Sequence, residues 1–142
     1  MEYYLAQTTN DFNYIASLFN PKNSKYLFKK KMKGNDIKKS HKNNSDIKTF
    51  ILINKNKKIG WFTITKFKNR KEGDFGMIID KPYQKNGYGF KAINYIEREA
   101  KKSGINKLTL QVFEKNEPAI YIYKKANFKE RCRLIKMEKK IK

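Results

Sequence analysis

The sequence predicts an α+β fold: a mixed, mostly antiparallel sheet of about six to seven strands, flanked on both sides by about four helices. Three observations carry this. Residues 49–54, 58–67 and 72–80 (TFILIN, KIGWFTITKF, EGDFGMIID) are three β-branched and aromatic runs in succession. An amphipathic stretch over 87–102 separates the third run from an alternating segment at 107–112, which makes a β-α-β unit. A second helical stretch at 116–126 and a C-terminal strand pattern follow. The order reads β-α-α-β-β-β-α-β-α-β(-β), in one domain over 1–142. Long runs of parallel β-α units are absent, so this is not a doubly wound fold.

Each element has a local reason. Residues 2–8 are read as a first strand. Over 10–19, Phe12, Ile15, Ala16 and Phe19 recur at helical spacing behind Asn10 as a cap, and Pro21 ends that helix. Residues 24–32 suggest a second helix, and 33–48 a polar loop. The KNK spacer at 55–57 signals a hairpin. In 72–80, apolar residues at adjacent positions fit a strand buried on both faces. Ala92, Ile93, Ile96 and Ala100 form one stripe over 87–102, which Gly104 closes as a C-terminal cap. Leu108, Leu110 and Val112 share one strand face. Asn116 caps the next helix, Pro118 sits in its first turn, and Asn127 stops it in a left-handed conformation. Residues 128–141 read as one or two further strands.

Composition narrows the function classes. Cys132 is the only cysteine, which excludes an internal disulfide and a cysteine metal cluster. His41 is the only histidine and lies in a lysine-rich polar run, so a Ser-His-Asp or Cys-His triad is not expected, nor is a metal site. The start MEYYLAQTT lacks the basic-then-apolar form of a signal peptide. No run approaches the roughly 20 apolar residues of a membrane span, so the expectation is a cytoplasmic protein without a membrane partner. The formal net charge is +21. An anionic partner is one reading and a lysine-rich composition the other. Arginine occurs only at 70, 98, 131 and 133, and the lysines are spread over the chain. That pattern suits weak, nonspecific contact with nucleic acid, not sequence reading by arginine forks. Nothing distinguishes a monomer from a homodimer.

The informative stretch is PYQKNGYGFKAINYI at 82–96. Glycines before a helix commonly make room for a phosphate. A P-loop needs Gly-x-x-x-x-Gly-Lys-Ser/Thr, which is absent. Gly87, Gly89 and Ala92 do satisfy a dinucleotide fingerprint, but there the first glycine follows its strand directly. Here 80–86, with Pro82, intervene. Read from Gln84, the run Gln84-Lys85-Asn86-Gly87-Tyr88-Gly89 resembles the Gln/Arg-x-x-Gly-x-Gly/Ala motif of the GNAT superfamily of N-acetyltransferases. NEPAIYIYKKANF, from Asn116, resembles that family's later Asn-x-x-Ala-x-x-x-Tyr-x-x-x-Gly-Phe segment. The resemblance is detailed over about 75–135 and agrees with the whole element order. Gln84 stands where arginine is common, and Asn127 where glycine is usual.

The resemblance implies transfer of an acetyl group from acetyl-CoA to a primary amine (a protein N-terminus, a lysine or a small molecule) by direct attack in a ternary complex. Gln84, Lys85, Asn86, Gly87, Tyr88 and Gly89 would seat the pyrophosphate. Backbone groups of Met77, Ile78 and Ile79 would hold the pantetheine arm, with Asn116 nearby. Tyr123 would protonate the departing thiolate; a phenol of pKa about 10 keeps its proton at neutral pH. Glu72, Asp74, Glu114 or a water relay are open as the base. The acceptor would be set by residues 21–48, the hairpin around Trp61 and the C-terminal strands. A non-catalytic acyl-CoA- or RNA-binding module on the same scaffold is the alternative; it would keep the glycines but not need Tyr123.

Overall fold

In the computed structural model, which describes residues 1–23, 34, 38 and 46–142, the hairpin expected at the KNK spacer forms. Its two-residue turn, Lys55 and Asn56, has φ of 50° and 63°. Two successive left-handed residues make the turn that matches the twist of its strands. The hairpin joins β2 (Ile47–Asn54) to β3 (Lys57–Lys66), and β4 (Glu72–Ile79) continues the meander. β1 (Glu2–Leu5) lies outside β2, and β5 (Lys107–Thr109) outside β4. Pairing is antiparallel throughout except between β4 and β5, which are parallel.

Alternation divides the sheet into two faces. On one, Phe50, Phe62, Ile64 and Phe75 are buried beneath α2 (Tyr88–Lys102), which supplies Ala92, Ile96 and Ala100. Phe50 and Phe62 stack at 4.8 Å, and Tyr3 meets Phe50 edge-on at 5.6 Å. On the other, Ile51 packs with Phe12 and Ile15 of α1 (Thr9–Leu18). α2 ends as the sequence suggests: Gly104 is left-handed at φ 81°, and the Ile105 amide closes back on the Ala100 carbonyl. α3 (Glu117–Lys125) is capped by Asn116, and Asn127 takes φ 69° past its end.

The structure departs from the sequence reading in several places. α1 is capped by Thr8, not Asn10: the Thr8 side chain accepts from the Asp11 amide, while Asp11 accepts from the Thr8 amide. This reciprocal box satisfies two donors where Asn10 would satisfy one. The helix expected at 24–32 falls outside the described residues, as does His41. Gly34 and Lys38, expected in a polar loop, are helical; both meet α1, Gly34 at Asn13 and Lys38 through its ammonium on the Thr9 hydroxyl. The strand expected over 107–112 stops at Thr109, where its pairing with β4 stops. Residues 128–142 form no strand, so the described residues hold five strands. That segment lacks Gly, Pro, Asn and Asp to turn a hairpin, and its lysines and arginines repel. Leu134, Ile135, Met137 and Ile141 are left exposed. No described helix is long and apolar enough to cross a membrane.

Candidate active site

The parting of β4 and β5 creates the site. The two pair only at Glu72–Lys107, Gly73–Leu108 and Asp74–Thr109. β4 continues to Ile79, paired with β3 on one edge and with no described strand on the other. Strand alternation turns the main-chain groups of Gly76 and Ile78 to β3, a series that the Asp80 amide continues onto the Ile59 carbonyl. Phe75, Met77 and the Ile79 amide therefore face the gap, as an extended ligand requires, and Ile78 does not take the main-chain role expected of it.

The gap leads into the glycine loop. Asp80 caps the 3-10 turn Lys81–Tyr83 by accepting from the Lys81 amide, and Asn23 donates to Asp80 at 3.0 Å. Gln84 then folds inward: its Nε2 donates to the Ile79 carbonyl at 2.8 Å. Its side chain braces the loop against the strand end. Asn86 does similar work, donating to the carbonyls of Tyr83 and Gln84. Lys85 has φ 65° and Gly87 φ 79°, alternating with residues of negative φ. Alternating signs of φ are the backbone pattern found in anion-binding nests. Gly87 is also the N-cap of α2 and offers no side chain, so the first-turn amides stay open beside the positive end of the helix.

Side chains around this cradle have distinct positions. Lys85 is exposed on its rim. The Tyr88 hydroxyl accepts from Asn54 at 3.0 Å, so its ring ties α2 to the β2–β3 hairpin and only its main chain faces the nest. A Cβ at Gly89 would sit 3.4 Å from Ile122 and 3.7 Å from Met77, in ordinary contact, so the glycine keeps a small space open beside these amides. Lys125, which sequence reasoning missed, holds its ammonium 4.7 Å from the Phe90 ring centroid and so against the first turn of α2. No local spacing rule reveals that contact; it depends on how α3 crosses α2.

Asn116 Oδ1 accepts from the Ala119 amide at 3.4 Å, a cap bond at the limit of hydrogen bonding. Tyr123 packs edge-on against Phe75 at 5.9 Å and Phe128 at 6.0 Å, and burial pushes its phenol up to about 12. It is therefore a proton donor across the neutral range. Of the three acidic residues singled out above, Glu114 is exposed and paired with Arg133, and Glu72 opens β4 opposite Lys107. Asp74 is partly buried beside Thr65 and Thr109, and burial raises its carboxyl pKa with no neighbouring charge to offset it. Asp74 and Phe75 are consecutive in a strand and point to opposite faces. Tyr123, packed on Phe75, thus flanks one side of the sheet and Asp74 the other.

A model of the acetyltransferase (GNAT) family matches residues 12–128. The chain belongs to this family. Among curated relatives of this GNAT chain is an uncharacterised N-acetyltransferase, YycN, of Bacillus subtilis (strain 168). It is 37% identical over 57 residues, which are 40% of this chain and about a third (35%) of that relative's length. The spermidine N-acetyltransferase of Vibrio cholerae, solved in complex with CoA and spermine, superposes with a TM-score of 0.81 at 20% identity, covering 94% of this chain and 84% of that one. The ribosomal-protein-alanine N-acetyltransferase of Brucella melitensis gives 0.80 at 13% identity, covering 93% and 86%. These neighbours share the fold of this GNAT chain.

Proposed function

We propose that this GNAT chain transfers the acetyl group of acetyl-CoA to a primary amine within one ternary complex. One observation carries the reading: the unpaired edge of β4 runs directly into the cradle at 84–89, with Tyr123 packed on the same strand. The residues present fit the group, since Gly89 leaves open the space a Cβ would fill beside the amides. Acetyl-CoA supplies an acetyl thioester with a thiol as leaving group. The nest and the first-turn amides of α2 bind its phosphates, aided by Lys125 and Lys85. The open edge of β4, at the main chain of Phe75 and Met77 and the Ile79 amide, orients the extended arm, which fixes the reacting geometry. Asn116, the N-cap of α3, would meet the arm as the family resemblance implies. Tyr123 holds a proton ready for the departing thiolate, and Asp74, on the opposite face, takes one from the incoming ammonium. The Vibrio cholerae neighbour, which carries CoA on the same scaffold, supports this reading.

The test follows thiol release from acetyl-CoA against a panel of alkylamines and peptides. Tyr123→Phe is expected to lower kcat about 10²-fold while leaving CoA affinity unchanged. Tight RNA binding by a wild-type protein that releases no thiol with any amine would instead favour a non-catalytic module.

A further inference from the structure

α1 ends at Leu18, and the side chain of Asn23 turns back onto that end. Its Nδ2 donates to the Leu18 carbonyl at 3.1 Å, a last-turn acceptor that the helix itself cannot satisfy. The same nitrogen donates to Asp80 Oδ1 at 3.0 Å, and Asn23 Oδ1 accepts from the Lys81 amide at 3.0 Å. One side chain thus closes the end of α1 and the start of the glycine loop. The position needs a donor and an acceptor on one short group, which asparagine has and aspartate lacks. The Asn23 backbone is fixed as well: its amide donates to Asn20 Oδ1 at 3.0 Å, and Asn20 donates to the Ser17 carbonyl at 2.8 Å.

These bonds fall where the chain crosses the molecule. β4 ends at Ile79, and residues 80–87 lead to α2, on the face of the sheet opposite α1. Two bonds tie this crossing to the sheet. The Asp80 amide donates to the Ile59 carbonyl at 2.9 Å, and Gln84 Nε2 donates to the Ile79 carbonyl. Asn23 ties the crossing to α1. The turn between is bonded on itself, Tyr83 amide to Asp80 carbonyl at 2.8 Å and Gln84 amide to Lys81 carbonyl at 3.2 Å. A shift of Asp80 and Lys81 therefore carries Gln84 with it, and with Gln84 the left-handed Lys85 and Gly87.

Resting on the acetyl-CoA reading above, we propose that Asn23 is a positioning residue for the coenzyme: by holding Asp80 and the Lys81 amide against the end of α1, it sets where the cradle at 84–89 stands, and so sets affinity for the phosphates without touching them. Closing α1 would need only the Leu18 bond. The two bonds into the loop are what point to the coenzyme.

The experiment measures CoA binding by calorimetry, well below each protein's Tm, and amide hydrogen exchange of the ligand-free loop. Asn23→Ala is expected to raise the Kd for CoA about tenfold and to speed exchange at 84–89 by a similar factor, with β2 and β3 amides unchanged. Asn23→Asp sets a second carboxylate at the 3.0 Å contact with Asp80 and should raise Kd further, about 30-fold. Asp80→Asn keeps an acceptor oxygen and should change Kd less than about threefold. Combining Asn23→Asp with Asp80→Asn restores a donor–acceptor pair at wild-type net charge, and Kd should return to within about threefold of wild type. A double variant that binds no better than Asn23→Asp overturns the proposal. So does an Asn23→Ala protein whose Tm falls while Kd and loop exchange stay unchanged, which would make Asn23 a helix stop only. If wild type binds no CoA while loop exchange still depends on Asn23, the loop positioning stands and the acetyl-CoA reading is what fails.

Discussion

From Glu72 to Asp74, β4 is paired on both edges; from Phe75 to Ile79, β3 is the one described strand it pairs with. Both halves are packed against the same meander. What differs is the neighbour. β5 stops after three residues, and the chain beyond Thr109 runs on without pairing. A strand edge left open inside a protein carries donors and acceptors that something must satisfy. The doubly paired half is scaffold, and the singly paired half is the one the proposed function assigns to binding. The glycines divide the same way: Gly73 is there because the next strand leaves no room, and Gly76 although a Cβ there would meet only ordinary contacts.

The sharpest way to break that contrast is Gly73→Ala. Its Cβ would lie 2.4 Å from the Thr65 carbonyl oxygen and 2.8 Å from Ile105 Cδ1, and the backbone atom cannot step aside cheaply. We expect a loss of about 3 kcal/mol, read as a fall in urea midpoint, with CoA affinity of the remaining folded protein unchanged. A Gly73→Ala protein as stable as wild type would show that the first half of β4 is no more constrained than the second.

Asp74 sits at the boundary, so its substitution tests function and folding together. If Asp74 is the base proposed above, Asp74→Asn is expected to lower kcat about 10²-fold. Stability should move the other way. Burial lifts the carboxyl above its unfolded value of 3.8, so on acidification the folded chain takes up this proton before the unfolded chain does. The cost of burying the charge is present in full above the raised value and is relieved as pH falls toward 3.8. The asparagine variant bears no such cost. It should match or exceed wild type in stability at pH 7 and lack wild type's gain on acidification, as urea melts between pH 7 and 4 would show. Parallel pH profiles for the two proteins would argue that Asp74 is solvated and unsuited to be the base.

Much of this arrangement was legible where a local signal stands alone. The Lys55–Asn56 turn, the Gly104 stop, the Asn116 cap and the left-handed Asn127 each follow from one residue's backbone preference, and each forms. Elements fail to be legible where two local signals compete or where the partner is distant. Asn10 and Thr8 both suit a cap, and Asp11 decides between them by bonding back. Alternation at Leu108, Leu110 and Val112 marks a strand but cannot say where its neighbour departs, so the parting of β4 and β5 was invisible. The strand pattern at 128–141 lacked a turn and an uncharged edge, and no strand forms. In the cradle, spacing singled out Gln84 without revealing that its amide is spent on the Ile79 carbonyl. The same spacing gave no hint of Lys125.

Lys125 gives the finest test of the open half of β4. Its ammonium lies against Phe90, in the first turn of the helix whose amides face the cradle, whereas Lys85 projects from the rim. Both exposed cations add to the potential that the nest and helix end already provide, but the Lys125 ammonium is held against a ring of the first turn, whereas among the described contacts Lys85 has no such anchor. Lys125→Gln is expected to raise the Kd for CoA about threefold at 0.1 M salt, and Lys85→Gln less. The Lys125 effect should shrink as salt rises to about 0.5 M, because the Debye length then falls below the separation of the charges. Dephospho-CoA, which keeps the pyrophosphate and lacks the 3′-phosphate, separates the two phosphate positions. A Lys125 effect that persists with it places this cation at the pyrophosphate, over the nest formed by Lys85 and Gly87. An effect that vanishes places it at the ribose end, and the nest alone then carries the pyrophosphate.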